Sequence, residues 1–180
     1  MKRATRCVAI KASSVFLLAG FASGTLMAGS GAAVGADEPR RAAAAPCTGT
    51  QVVANSAQPT GSAQVRITVT NKGKKPCVLN GFPTVALAGQ GSPDKNKPLQ
   101  VVRVGKSGPV QLAAGGRASS QLTFTPVLGE ADGYCASGAD PFVAPSIVVG
   151  VAGGRYQLAP SDGSEFALCG NTVRATAFRA

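Results

Sequence analysis

Histidine is absent from all 180 residues, and so is tryptophan. Without histidine the chain holds no Ser-His or Cys-His nucleophile pair and no histidine-ligated metal centre. Methionine occurs only at Met1 and Met27, so the chain beyond its amino-terminal region offers copper no thioether. Acids are scarce: the whole chain has eight Asp and Glu. Asp132 and Asp140 flank Cys135, and Asp162 and Glu165 share a late loop, but nothing in that spacing selects an acid–base pair. Asp162-Gly163-Ser164 also lacks the alternating oxygen ligands of a calcium loop. Ser92-Pro93-Asp94-Lys95 matches S-x-x-K, a pairing that needs a helix to bring lysine onto serine, and here Pro93 and Pro98 bracket a breaker-rich loop. These absences point away from an enzyme, with no cofactor and no metal.

A long uninterrupted apolar run is lacking as well. Lys2, Arg3, Arg6 and Lys11 precede the apolar stretch Val15 to Met27, which Gly20, Ser23 and Gly24 interrupt. A spanning helix needs about 20 continuous apolar residues. Val34-Gly35-Ala36 supplies the small-x-small pattern that signal peptidase reads. The expected organisation is a signal peptide over residues 1-36 cleaved after Ala36, a disordered leader over 37-46, and one domain over 47-180. Cys47 follows Pro46 and Cys7 precedes the apolar run, so no lipid-anchor cysteine stands at the cut. The expected product is secreted and has no membrane span.

Cleavage changes two balances. Cys7 leaves, and Cys47, Cys77, Cys135 and Cys169 remain, an even set that reads as two disulfides with three possible pairings. Four of the 18 Lys and Arg leave too, so 14 face eight acids and the charge falls from +10 to +6. That excess favours acidic partners at the cell envelope, and export argues against nucleic acid.

What the chain does contain is strand pattern. Over Gln64 to Thr70, Val65, Ile67 and Val69 alternate with polar residues, the period of a strand with one buried face. Asn71, Gly73 and Pro76 break that strand amid three lysines. Cys77 to Leu79 forms a short second strand, closed by the tight turn Asn80-Gly81. Elsewhere, Gln51 to Ala54, Val85 to Leu87, Leu99 to Val104, Ser120 to Phe124, Ile147 to Val151, Tyr156 with Leu158, and Val173 to Ala177 read as strands. Residues 55–62 and 89–98 read as loops, and Pro126 to Pro145 as irregular. No sustained 3.6-residue period appears beyond the signal segment. Seven to nine short strands at this spacing predict an all-β fold, a two-sheet antiparallel β-sandwich.

The run T-N-x-G-x-x-x-C-x-L-x-G-F-P, Thr70 to Pro83, resembles the signature of the domain-of-unknown-function 4232 family of secreted actinobacterial proteins. Cys47, the segment Leu112 to Ser120, Cys135 and Cys169-Gly170 follow in the matching order, so the resemblance covers roughly residues 47 to 178. It implies an immunoglobulin-like sandwich with no assigned activity, and no catalytic residue is carried over. Relatives often have tryptophan where this chain has Phe124, and many carry a lipid-anchor cysteine that is missing here.

The expected disulfides are Cys47–Cys77, pinning the opening segment to the short strand that follows Gln64 to Thr70, and Cys135–Cys169, tying the irregular region to the last strand. The candidate binding residues are Lys72, Lys74 and Lys75, an anion-binding turn for a wall polymer, joined by Lys95 and Lys97 if their loop lies at the same end. The expected function is a non-enzymatic extracellular interaction module with an anionic cell-wall polymer or an extracellular protein as partner. The alternative is a secreted protease inhibitor presenting Pro126 to Pro145 as a loop braced by Cys135.

Overall fold

The computed structural model describes residues 44–129 and 133–180. The expected signal segment, the first seven leader residues and Asp132 lie outside them. No helix among the described residues is long and apolar enough to cross a membrane.

The described chain is all β. Its thirteen strands are β1 (Val52–Gly61), β2 (Gln64–Asn71), β3 (Cys77–Leu79), β4 (Thr84–Ala88), β5 (Asn96–Pro98), β6 (Gln100–Val104), β7 (Val110–Leu112), β8 (Arg117–Phe124), β9 (Phe142–Ala144), β10 (Ser146–Val151), β11 (Gly154–Leu158), β12 (Phe166–Leu168) and β13 (Thr172–Thr176). One sheet has the order β1-β2-β8-β13-β6, a second β11-β10-β4-β5, and β12-β9 and β3-β7 form two-stranded sheets. All named pairings are antiparallel except β13 with β6, which is parallel.

Alternation fixes the core. Val65, Ile67 and Val69 on β2, Leu122 on β8 and Val173 on β13 turn inward to meet Val85, Leu87, Ile147 and Val149 from the second sheet in one cluster. Ile67, Leu122, Ile147 and Val149 have no exposed surface at all. Full burial of such a side chain is worth roughly 1.5–3 kcal/mol. Aromatic packing adds little beyond Phe124 against Phe166, edge to face at 6.0 Å.

The two larger sheets are joined by a strand that changes sheet. Leu99 N–H donates to Val85 O on β4 (2.9 Å), and the next amide, Gln100 N–H, donates to Asn171 O just before β13 (2.8 Å). The disulfides are Cys47–Cys77 and Cys135–Cys169. The first sits where Cys47 N–H donates to Val78 O and Val78 N–H to Ala45 O. The second joins the irregular region to the residue that follows β12, one turn ahead of β13.

Three local readings need correction. Residues 55–62 are mostly strand, because β1 runs to Gly61 through register shifts near Asn55 and Thr60. An edge strand accommodates such bulges, and Pro59 as well, because one of its sides has no ladder to break. Residues 96–98, read as loop, pair with β4, and residues 142–144, read as irregular, pair with 166–168. Those pairings are supplied by distant partners rather than by local pattern. The described residues therefore hold thirteen strands rather than seven to nine.

Candidate functional site

The lysine turn leaves β2 at Asn71, and Asn71 itself builds it. This side chain is completely buried. Its Nδ2 donates to Lys75 O (2.9 Å), Leu112 O (3.1 Å) and Ala113 O (3.1 Å), and its Oδ1 accepts from Gly73 N–H (2.9 Å). Main-chain bonds complete the clamp: Asn71 N–H to Gly116 O (2.9 Å), Gly115 N–H to Asn71 O (2.8 Å) and Lys72 N–H to Gln51 O (2.7 Å). A buried amide pays for its desolvation only when its donors and acceptors are matched, and here they are. Gly73 is needed at close quarters, because a Cβ there would lie 3.1 Å from Asn71 Oδ1 and 3.2 Å from Gln51 Cγ.

The result is a braced platform. Lys72, Lys74 and Lys75 are all exposed on it, and Pro76 leads directly into the Cys47–Cys77 bridge. Arg117, exposed at the start of β8, stands opposite Thr70 and extends the positive charge.

The signature run is legible at this point as architecture. Asn71 and Gly73 shape the turn, Cys77 carries the bridge, Leu79 is buried, Gly81 takes φ +92°, and Pro83 is fully buried. None of these residues offers a reactive group to solvent. Asn71 was readable in the sequence only as a turn former. The local bond to Gly73 follows from that type, but its three carbonyl partners come from Leu112 at the end of β7, Ala113 just after it, and Lys75 in the turn itself.

Lys95 and Lys97 do not join the platform. They flank Asn96, which pairs with Ala88 at the far end of β4 from Thr84, the end into which the β3 corner leads. The Lys97 ammonium lies 3.2 Å over the Phe142 ring instead. Lys95 gives its backbone N–H to the Ser92 carbonyl at 3.2 Å, so the S-x-x-K segment is a turn and the serine hydroxyl is not the lysine's partner. The loop containing it is strapped over the second sheet: Arg155 Nη2 donates to Pro93 O (3.2 Å), and Gln157 Nε2 donates to Gly89 O (2.6 Å).

Among the acids, Asp140 is exposed. Asp162 and Glu165 share a cleft of about 280 Å³ with Phe124, Phe166 and Gln64. The Ser164 hydroxyl (2.7 Å) and amide (3.0 Å) both donate to Asp162 Oδ1 and hold its carboxyl below the usual range. No cluster of three or more metal-ligating side chains occurs among the described residues.

A search of curated proteins returns no match. The family model described as a domain of unknown function, DUF4232, matches residues 46–179. That span runs from the bridge between Pro46 and Val78 to the closing pair of Ser119 and Arg179, and the chain belongs to this family.

Proposed function

We propose that the protein is a secreted, non-enzymatic interaction module that binds an acidic partner of the cell envelope through the turn of Lys72, Lys74 and Lys75. The observation that carries this reading is the Asn71 clamp. A turn whose only task was to stay soluble needs exposed lysines but no buried amide that holds its backbone at two points, Gly73 N–H and Lys75 O, and fastens it to the end of β7 through Leu112 O and Ala113 O. Pre-organisation lowers the entropy lost when a loop binds. Two disulfides fit an oxidising compartment, and the mature charge of +6 favours an anion.

Binding of the secreted protein to purified cell wall is expected to fall steeply between low and moderate salt, because exposed charges are screened over about 10 Å at 0.1 M. Changing Lys72, Lys74 and Lys75 together to Ser is expected to reduce binding and leave the melting temperature unaltered. Undiminished binding by that variant would reduce the lysines to a solvated turn.

A second reading is the protease inhibitor. Leu128, Tyr134, Phe142 and Val143 are exposed large apolar residues from one segment, which Cys135–Cys169 braces. Stoichiometric inhibition of a secreted protease, lost when that bridge is removed, would replace the first reading with this one.

A further inference from the structure

The outer face of the five-stranded sheet has a composition unlike the rest of the surface. Because Ile67, Ala118, Val173 and Ala175 turn inward, the alternation sends Arg66, Arg117 and Arg174 outward, and all three are exposed. The described side-chain carboxylates, Asp94, Asp140, Asp162 and Glu165, all stand in connecting segments, none on this sheet. Among the described residues the one ion pair joins Arg155 to Asp94, away from this face. Hydroxyl and amide side chains fill the space between the arginines: Thr68 opposite Ser119, Arg66 opposite Gln121, and Thr123 between Gln64 and Arg174.

The registers set the spacing. Arg66 lies opposite Gln121, four residues along β8 from Arg117 and one strand over. Arg174 lies opposite Thr123, two strands from Arg66. At about 3.4 Å per residue and 4.8 Å per strand, the Cα positions of Arg117, Arg66 and Arg174 are about 12–14 Å apart and span about 20 Å, and exposed Arg179, paired with Ser119, adds a fourth cation to the row. At its Arg117 end the row meets Thr70, two residues before Lys72, so it continues onto the lysine turn.

We propose that this face, entered from the lysine turn, is a docking surface for a linear acidic polysaccharide. It rests on the turn's reading as an anion-binding tip only for the polymer's point of entry. Charge complementarity argues for a polyanion: guanidiniums unopposed by carboxylates on their own face are matched to carboxylate or phosphate oxygens. The spread of these cations over about 20 Å is too wide for one compact anion and suits a chain that carries repeated charges. The hydroxyl and amide rows between the arginines supply donors and acceptors for uncharged sugar hydroxyls. A protein partner is disfavoured because the face lacks a buried-anchor pocket or aromatic residue, and its one large exposed apolar residue, Val102, lies on the edge strand β6.

The test measures affinity of the secreted protein at low salt for hyaluronate oligosaccharides, with polyglutamate and neutral dextran in parallel. Wild type is expected to bind hyaluronate more tightly than polyglutamate and not to bind dextran. Arg66→Gln, Arg117→Gln and Arg174→Gln combined are expected to weaken hyaluronate binding about tenfold, the equivalent of about 1.4 kcal/mol, with the melting temperature unchanged. Retained affinity in that variant, no hyaluronate binding by wild type, or equal affinity for polyglutamate would each overturn the proposal. The Lys72, Lys74 and Lys75 to Ser variant separates the two readings. If it alone loses binding, the turn stands and the sheet face falls; if only the arginine variant loses binding, the face stands and the turn falls.

Discussion

The Asn71 side chain donates to the carbonyl of Leu112, 41 residues away, at 3.1 Å. This bond ties the end of β2 to β7 and, with the bond from the same amide to Lys75 O, sets the pose of the lysine turn. Removing the amide leaves carbonyls of Lys75, Leu112 and Ala113 without that donor. Asn71→Ala is therefore expected to cost about 2–3 kcal/mol, measured by urea unfolding. Asn71→Asp keeps the acceptor for Gly73 but places a carboxylate against three carbonyls, and is expected to be no milder. Wild-type stability in both variants would show that the turn is held elsewhere.

The two bridges close segments separated by 30 and 34 residues. Each is expected to contribute about 3.5–4 kcal/mol by restricting the unfolded chain. Replacing either pair by Ser should lower the denaturation midpoint accordingly. Non-reducing peptide mapping should recover Cys47 with Cys77 and Cys135 with Cys169, and any crossed pair in the native protein contradicts the structure.

Gly49 lies against the β10–β11 hairpin, where a Cβ would stand 2.5 Å from the Gly154 amide nitrogen. Both partners are backbone, so neither swings aside. Gly49→Ala is expected to destabilise by about 1–3 kcal/mol, the range of overpacking. Gly89→Ala, where an added Cβ meets nothing within 4 Å, is the control that thermal melts should show unaffected.

Tyr156, half-buried, donates its hydroxyl to Gly49 O (2.6 Å) and also contacts Val52 O. Burial raises its pKa above the ordinary 10.0. The folded state therefore keeps the proton longer than the unfolded chain does. Its contribution is fully present below about pH 10 and is lost as pH rises through the folded value. Ultraviolet titration in a Tyr134→Phe background isolates this phenol, and a midpoint at or below 10 would contradict the assignment. Tyr156→Phe is expected to cost about 1 kcal/mol at neutral pH.

How much of this was readable depends on how local the cause is. The alternation of Val65, Ile67 and Val69 predicts β2 correctly, since one face of a pleated strand must be apolar if it is to be buried. A hairpin turn over Ala152 to Arg155 was also legible, though β11 already begins at Gly154; Ala152 and Gly153 make the turn with positive φ, 50° and 80°, as a tight hairpin turn requires. The β5 segment Asn96–Pro98 was not legible. It has no apolar side chain, and only the exposed edge of β4 makes it a strand.

The candidate site divides the same way. Three lysines beside Asn71 and Gly73 mark a charged turn from residue type alone. That the turn is clamped, that Lys97 leaves it for Phe142, and that Arg117 joins it depend on which strands become neighbours.

By itself the sequence determined the all-β class, the half-buried strands, the cysteine set and the charge excess, because side-chain period, turn preference and charge are properties of residues and their nearest neighbours. Only the tertiary structure decided the order β1-β2-β8-β13-β6, the crossing at Leu99 and the gathering of Arg66, Arg117 and Arg174 on one face. Backbone amides pair with any strand that presents its edge, so the choice of partner rests on burying the two sheets' apolar faces together, which no local stretch encodes.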